Sequence, residues 1–310
     1  MDKVVIQNLE ANNQRDLSRL ITKIEYDGKI NNITFDKLFK KTNQGIRIGI
    51  TGPPGAGKSS ITNELIKYFI DNDQKVGVIA IDPTSPFSGG SLLGDRVRMN
   101  QYHNDENVFI RSMSTHEHLG GLSRKAQDIG DILAIAGKDV IIFETVGVGQ
   151  GEYEIANVAD LTIIVLVPES GDEVQLMKAG LIEIGDLFVV NKSDRKGSEQ
   201  LTEKLKSIIN INKEITRPVY NTIAKEGKGI EELFNGIMKK FKELEDAGYL
   251  LQRRIDRYKV RVKNIIQENL LSEFWTSNKK EKLNQATNSL QNFKKSPLAA
   301  AEEIMESIDL

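Results

Sequence analysis

The sequence predicts an α/β protein in which a mostly parallel β-sheet is flanked by helices on both faces. Five short apolar segments, at 45–51, 76–81, 139–143, 161–167 and 186–190, are rich in Ile, Val and Leu, as buried parallel strands are. Segments with helical spacing separate them between about 46 and 245, an alternation that is typical of parallel sheets. Outside that region the patterns are helical only, which predicts N- and C-terminal helical extensions.

The first predicted strand runs into a glycine-rich loop. Residues 52–59 read Gly-Pro-Pro-Gly-Ala-Gly-Lys-Ser and fit the phosphate-binding pattern G-x-x-x-x-G-K-[ST]. Apolar residues at 61, 65, 66 and 69 then predict a helix after the loop. In this strand–loop–helix arrangement the backbone N–H groups of the loop and the N-terminus of the helix form a binding site for an anion such as phosphate. We expect Lys58 to reach the β- and γ-phosphates and the Ser59 hydroxyl to ligate Mg²⁺. The residues assigned to nucleotide binding in this loop are Gly52, Gly55, Ala56, Gly57, Lys58, Ser59 and Ser60.

Acidic residues follow two other predicted strands, at the edge of the sheet where ligands bind in open α/β folds. Asp82 is placed to hold Mg²⁺ through water or to orient the attacking water, although Asp before Pro also commonly starts turns. Glu144-Thr-Val-Gly147 occupies the position of the Asp-x-x-Gly switch of GTPases. Glu144 then takes the place of the acid that binds the Mg²⁺ shell, and the Gly147 N–H meets the γ-phosphate.

The last predicted strand leads into a guanine-recognition tetrad, Asn191-Lys192-Ser193-Asp194. The Asp194 carboxylate can accept from guanine N1–H and N2–H, which adenine does not offer in this arrangement. Lys192 would cover the base, and Asn191 would tie this loop to the phosphate-binding region. The sequence therefore predicts binding of GTP and GDP and hydrolysis of GTP.

With these motifs the chain resembles the MeaB/ArgK family of P-loop GTPases over nearly its whole length. Four segments carry the resemblance: 52–60, 82–99, 144–150 and 168–180. The resemblance implies a chaperone of an adenosylcobalamin-dependent acyl-CoA mutase, above all methylmalonyl-CoA mutase. Such a chaperone gates the loading of the cofactor and protects or reactivates the mutase. It implies that Asp82 and Glu144 are Mg²⁺-shell acids and Asp95 a switch residue, so that Lys58, Asp82, Asp95 and Glu144 form the catalytic set. It also implies that segment 169–178 is a third switch and that the C-terminal arm pairs two protomers in a homodimer.

Two departures from the family pattern stand out. Asn221-Thr-Ile223-Ala224 has Ile223 where a serine is usual, yet the Ala224 N–H can still bond guanine O6. His116 and Glu117 stand where Arg and Gly are expected, which removes a basic group.

Two alternative functions remain open from the sequence. The family that the chain resembles belongs to a branch of GTPases that also contains metal-insertion GTPases. A metal-insertion GTPase of this branch is suggested by His116 and His118, although the chain has only one other His, His103, and no Cys. An ArgK-type kinase or transport ATPase is the other, against which the guanine tetrad argues.

Composition bears on the possible partners and the cellular compartment of the protein. The net charge of −2 gives no basic excess for nucleic acid, and the longest apolar segment, 161–167, is too short to span a bilayer. The chain has no Cys and begins without the apolar segment of a signal peptide, so we expect a cytoplasmic protein. We divide the chain into a helical arm at 1–45, a GTPase domain at 46–245, and a C-terminal helical arm at 246–310. A helix in that last arm begins with Ser296 as cap and Pro297 in the first turn.

Overall fold

The computed structural model describes residues 14–27, 36, 38–83, 102, 105–115, 121–145, 151–168, 180–209, 217–287 and 295–306. The chain forms two compact units, Met1–Arg254 and Ile255–Leu310. The domain boundaries set from the sequence at 45/46 and 245/246 stay a prediction.

The first unit is built on a parallel sheet of seven described strands in the order β3-β2-β4-β1-β5-β6-β7. Every pairing between neighbouring strands is parallel. The strands are β1 Ile46–Thr51, β2 Val76–Pro83, β3 Val108–Thr115, β4 Val140–Thr145, β5 Leu161–Leu166, β6 Leu187–Asn191 and β7 Val219–Thr222. The predicted fold class is confirmed.

Ten described helices accompany the strands. They are α1 Gln14–Asp27, α2 Lys58–Asp71, α3 Gly121–Ile135, α4 Gly151–Val158, α5 Leu181–Ile184, α6 Ser198–Ile209, α7 Ile230–Asp246, α8 Tyr249–Phe274, α9 Ser277–Thr287 and α10 Pro297–Glu306. Short 3₁₀ helices lie at Phe39–Asn43 and Ala224–Glu226. Among the helices that the structure describes, none is both long and apolar enough to cross a membrane.

Alternating residues of the central strands pack on opposite faces of the sheet, because successive side chains of a strand point to opposite sides. Val140 and Ile142 of β4 belong to the apolar cluster that includes Leu65 of α2. Ile141 and Phe143 belong to a second cluster, with α3 and α4 residues. Helices therefore cover both faces, and each inner strand is buried on both sides.

Helix α1 packs on the second of these clusters through Leu17, Ile21 and Ile24, all buried. Polar contacts reinforce this packing, since the Arg111 guanidinium of β3 donates to Glu25 and to the Thr22 hydroxyl. The predicted N-terminal helix is confirmed, and it is part of the core of the first unit.

The amino ends of the strands are anchored by buried carboxylates. Asp160, which is fully buried, accepts from the Arg47 main-chain N–H at 3.2 Å and from the Arg254 guanidinium at 2.9 Å. Asp186 accepts from the Thr162 N–H and, through both oxygens, from Arg253. The first turns of α8 are thereby attached to the end of the sheet opposite the strand ends that carry the sequence motifs.

Helix α10 has the predicted N-terminus. The Ala299 N–H donates to the Ser296 side-chain oxygen at 3.2 Å, and Pro297 is the first helical residue. Pro can stand there because the first N–H groups of a helix lack a partner within it.

Candidate nucleotide site

The motifs meet at the carboxyl edge of the sheet because all the strands run in the same direction. The glycine-rich loop leaves β1, Glu144 lies near the end of β4, and Asn191 ends β6. The register places Ile50 of β1 opposite Glu144 of β4. The β1 strand lies between β4 and β5, with β6 one strand farther. Adjacent strands therefore bring together segments that are far apart in the sequence.

Two glycines of the loop have conformations that other residues cannot adopt without strain. Gly52 has φ +140°, and a Cβ there would lie 2.0 Å from the Val165 carbonyl oxygen. Gly57 has φ +89° in the left-handed region just before α2, and a Cβ there would lie 2.3 Å from Asn191 Nδ2. Only glycine lets the loop pass so close to β5 and to Asn191.

Lys58 is buried at the first position of α2. Its Nζ donates to the Gly52 carbonyl at 2.7 Å and to the Pro53 carbonyl at 2.9 Å. The ammonium group is thus held against the loop that precedes the helix. A full positive charge and the N-terminus of α2 share one small region, which suits a polyphosphate.

Two hydroxyl groups hold the Glu144 carboxylate, which is 2% exposed. The Ser59 hydroxyl donates to Oε1 at 2.5 Å, and the Thr62 hydroxyl donates to Oε2 at 2.7 Å. Because the Ser59 proton is directed to the carboxylate, the oxygen lone pairs of Ser59 point elsewhere and can meet a cation. Hydroxyl and carboxylate oxygens are the donor type that Mg²⁺ prefers.

Asn191 links three segments of the site through one buried side chain. Its Nδ2 donates to the Ala56 carbonyl at 2.8 Å. Its Oδ1 accepts from the Thr222 hydroxyl and from the Ala224 N–H, each at 3.1 Å. The sequence assigned the Ala224 N–H to guanine O6; in the structure this N–H faces Asn191, and the contact to guanine stays a prediction.

The rest of the tetrad forms a tight turn beyond β6. Lys192 has φ +56°, a left-handed conformation that is uncommon for a residue with a side chain. The Ser193 N–H donates to the Thr222 carbonyl at 3.1 Å, which ties this turn to the end of β7. Asp194 is exposed at the end of the tetrad. The pKa of Lys228 lies above its usual value, mainly through its hydrogen bond to Glu226, with a smaller contribution from the Asp194 charge.

Several predicted site residues cannot be placed in this way. Asp95, Gly147, His116, Glu117 and segment 169–178 lie outside the described residues. The Asp82 backbone is part of β2, paired with Ser114 of β3, and nothing is described of its side chain. Within the described ranges, no group of three or more His, Cys, Asp or Glu side chains is arranged around a common metal position.

Sequence reasoning did not identify the hydroxyl groups that support the site. Thr62 is fully buried on α2, and Thr145 donates to the Thr51 hydroxyl at 2.8 Å. A signal for Thr62 was present: it falls three and four residues before Leu65 and Ile66, on the buried stripe of a helix. A polar residue on such a stripe indicates a polar partner.

Comparison with known proteins identifies the family. The family model described as methylmalonyl Co-A mutase-associated GTPase MeaB matches residues 17–279. This chain belongs to the MeaB family. The resemblance inferred from the motifs is therefore confirmed, and the chain is a P-loop GTPase that binds guanine nucleotides.

Individual relatives agree with the family. A Pyrococcus horikoshii protein named as a GTPase is 44% identical over 268 residues, which is 84% of each chain. The mitochondrial methylmalonic aciduria type A homolog of Mus musculus is 37% identical over 246 residues, 76% of this chain and 59% of its own. The solved structure of a LAO/AO transport system kinase has a TM-score of 0.72 at 25% identity, covering 98% of this chain and 96% of its own.

Proposed function

We propose that this MeaB-family GTPase is a chaperone for an adenosylcobalamin-dependent acyl-CoA mutase, most specifically methylmalonyl-CoA mutase. The observation that carries the proposal is the family match over residues 17–279, because the family is described by its association with that mutase. The methylmalonic aciduria type A homolog among its relatives supports the same partner. In this function the nucleotide state gates cofactor loading and protects or reactivates the mutase.

The proposed nucleotide chemistry depends on magnesium. Ser59 would ligate the ion directly, with Glu144 and Asp82 acting on its shell. The fit rests on the Ser59–Glu144 hydrogen bond of 2.5 Å, which turns the serine lone pairs away from the carboxylate. Bound there with GTP, the ion would neutralise charge on the β- and γ-phosphates.

The protein groups then have separate tasks. The P-loop N–H groups and Lys58 hold the phosphates in place, and Asp194 selects guanine. Glu144 stands one residue before the end of β4, and the chain continues into the segment that holds Gly147. A carboxylate fixed there can transmit the state of the γ-phosphate site to that segment, which is how GTPase switches work.

We also propose that the chain forms a homodimer through its C-terminal helices. In the second unit, apolar side chains of α8 recur at three- or four-residue spacing and are exposed: Ile255, Tyr258, Val262, Ile266 and Leu270. Residues at this spacing share one face of a helix. A long exposed apolar stripe is typical of a surface that pairs with another chain, and the family resemblance implies a second copy.

The dimer is tested by the mass of the protein in solution. Ile266 is 52% exposed, and Ile266→Glu places a charge within the stripe, between Val262 and Leu270. We expect light scattering after gel filtration to give a dimer for the wild type and a monomer for this variant. Gln267→Glu adds the same charge at the next position of the helix and is expected to remain dimeric. A monomeric wild type would contradict the proposed homodimer.

The partner is tested by steady-state GTP hydrolysis with and without purified methylmalonyl-CoA mutase from the same source. We expect a slow basal rate that rises clearly with the mutase and disappears in Lys58→Ala. A rate that does not respond to the mutase would contradict this partner and leave the GTPase intact. Competition by ATP at concentrations similar to GTP would instead favour the kinase or transport function in the name of the structural relative.

A further inference from the structure

Thr62 lies in the second turn of α2 and is fully buried. Its neighbours on the same side of the helix, Leu65, Ile66 and Phe69, are also fully buried and belong to the apolar core. Thr62 therefore lies between the buried polar residues of the first turn, Lys58 and Ser59, and the apolar residues that follow on the same side of the helix. Its hydroxyl donates to Glu144 Oε2 at 2.7 Å, across 82 positions of the sequence.

The partner of Thr62 differs from that of two other helical threonines. Thr22 and Thr287 each donate to the main-chain carbonyl four residues earlier, at Ser18 and Leu283. Thr202 combines a local contact to the Ser198 carbonyl with one to Asn221 Oδ1. That local bond is the usual arrangement for threonine within a helix. Thr62 donates to a carboxylate of the nucleotide site, so its hydroxyl serves a distant group.

The two hydroxyl bonds to Glu144 together fix the orientation of its carboxylate. The Ser59 hydroxyl donates to Oε1 at 2.5 Å, and the Thr62 hydroxyl donates to Oε2 at 2.7 Å. With one bond alone, the carboxylate could turn about its last torsion, which has a broad energy profile in Glu. Glu also has one more rotatable bond than the Asp that occupies this position in most GTPases, so a second contact compensates for added freedom.

We infer that Thr62 is a positioning residue for the cation: its hydroxyl holds Glu144 so that Oε1 stays at Ser59, and this sets the affinity of the site for Mg²⁺. The inference rests on the magnesium site proposed above. Groups that orient metal ligands through hydrogen bonds typically change metal affinity by about 10- to 100-fold when they are removed. Because Thr62 acts on the proposed ligand Ser59 through Glu144, we expect the lower end of this range.

The test uses Thr62→Val, which removes the hydroxyl and nearly preserves the shape. Fluorescent GDP is titrated with the full-length protein at increasing Mg²⁺ and separately in EDTA. We expect the half-saturating Mg²⁺ concentration to rise about tenfold, while GDP affinity in EDTA stays within about twofold of the wild type. Thr62→Ser keeps the hydroxyl and should return the Mg²⁺ dependence close to that of the wild type.

Thr42→Val is the matched control, because Thr42 is also buried but its hydroxyl donates to the Phe39 carbonyl, in the 3₁₀ helix before β1. It should leave the Mg²⁺ dependence unchanged. If Thr62→Val does not fold, Thr62→Ala removes the same hydroxyl in a smaller side chain and is subject to the same comparison.

Equal Mg²⁺ dependence in the wild type and in the variant lacking the hydroxyl would overturn the inference and leave the magnesium site standing. The hydroxyl would then only satisfy a buried carboxylate. Nucleotide binding by the wild type that does not depend on Mg²⁺ would overturn the magnesium site and this inference together. The Mg²⁺ titration of the wild type therefore distinguishes failure of the proposed magnesium site from failure of the role inferred for Thr62.

Discussion

The Asn191 side-chain amide donates to the Ala56 carbonyl at 2.8 Å and so joins the loop expected to read guanine to the loop expected to bind phosphate. Its oxygen accepts from Thr222 and from Ala224 in a third segment. The side chain is buried, with 3% of its surface exposed. One residue thus holds together the ends of β1, β6 and β7, and its loss should affect stability and nucleotide affinity alike.

Asn191→Ala should lower the free energy of unfolding by about 2–4 kcal/mol, because it leaves a buried carbonyl and a buried N–H without this partner. It should also weaken GTP binding by at least about tenfold, since 1.4 kcal/mol corresponds to that factor. Urea denaturation and a GTP titration measure the two effects.

Asn72→Ala is a suitable control for this prediction. Asn72 is exposed at the end of α2 and donates from its side chain to the Tyr68 carbonyl. We expect a change within about 0.5 kcal/mol and unchanged GTP affinity. If Asn191→Ala behaves like this control, Asn191 does not join the two loops in solution.

Asp194→Asn should weaken GTP and improve binding of xanthosine triphosphate, whose carbonyl at C2 can meet an amide donor. Hydrogen bonds to a charged group contribute about 1.5–3 kcal/mol, so GTP affinity should fall about 10- to 100-fold. Competition between the two nucleotides measures the switch. Glu199→Gln, an exposed change in α6, should leave the preference unchanged. Unchanged GTP affinity in Asp194→Asn would contradict the assigned role in base recognition.

The parts of the fold that the sequence predicted are those with a strong local pattern. The inner strands are apolar on both faces, and Gly57-Lys58-Ser59 marks the start of α2 directly. Edge strands β3 and β7 were not identified, because β3 carries polar residues at Arg111 and Ser112 and β7 has only four residues. A strand with one solvated face has a weaker apolar pattern.

The site was predicted where a motif names its residues and not where a tertiary contact selects them. Lys58, Glu144 and Asn191 were identified by position within motifs. The donation of Thr62 to Glu144 and of Arg254 to Asp160 joins residues 82 and 94 positions apart. No local spacing encodes such pairs, because they arise only when the helix has packed on the sheet.

Arg254→Ala should lower the free energy of unfolding by about 3–5 kcal/mol, the usual result of removing one partner of a buried ion pair. Asp160 is fully buried and accepts from two nitrogen atoms of Arg254. Arg254 also donates to the carbonyls of Asn43 and Gly45, which precede β1. Chemical denaturation of the full-length protein measures the loss.

Lys259→Ala is the control on the same helix. Lys259 lies 3.8 Å from Asp256, and both side chains are more than half exposed. Exposed pairs contribute little, so a change below about 1 kcal/mol is expected. A loss for Arg254→Ala no larger than this would mean that Asp160 is satisfied without the arginine.

Lys138 gives a testable pH dependence. Burial lowers its pKa from 10.5 to about 8, with a further lowering by the Lys75 charge, while Asp105 and Asp139 act in the opposite direction. Its exposed fraction is 2%, and its Nζ donates to the carbonyls of Glu106 and Asn107 at 3.2 Å. The charged form is therefore less favourable in the folded protein than in the unfolded chain.

The sign of the effect follows from proton binding. Between pH 8 and pH 10.5 the unfolded chain binds more protons at this lysine, so the contribution to stability rises with pH and is lost as pH falls through about 8. Relative to Lys138→Met, which cannot titrate, the wild type should gain about 2 kcal/mol between pH 8 and pH 10. Both proteins are denatured at each pH, and the difference between their free energies of unfolding removes the contribution of the other ionisable groups. A constant difference between them would show that Lys138 keeps its proton in the folded protein as readily as in the unfolded chain.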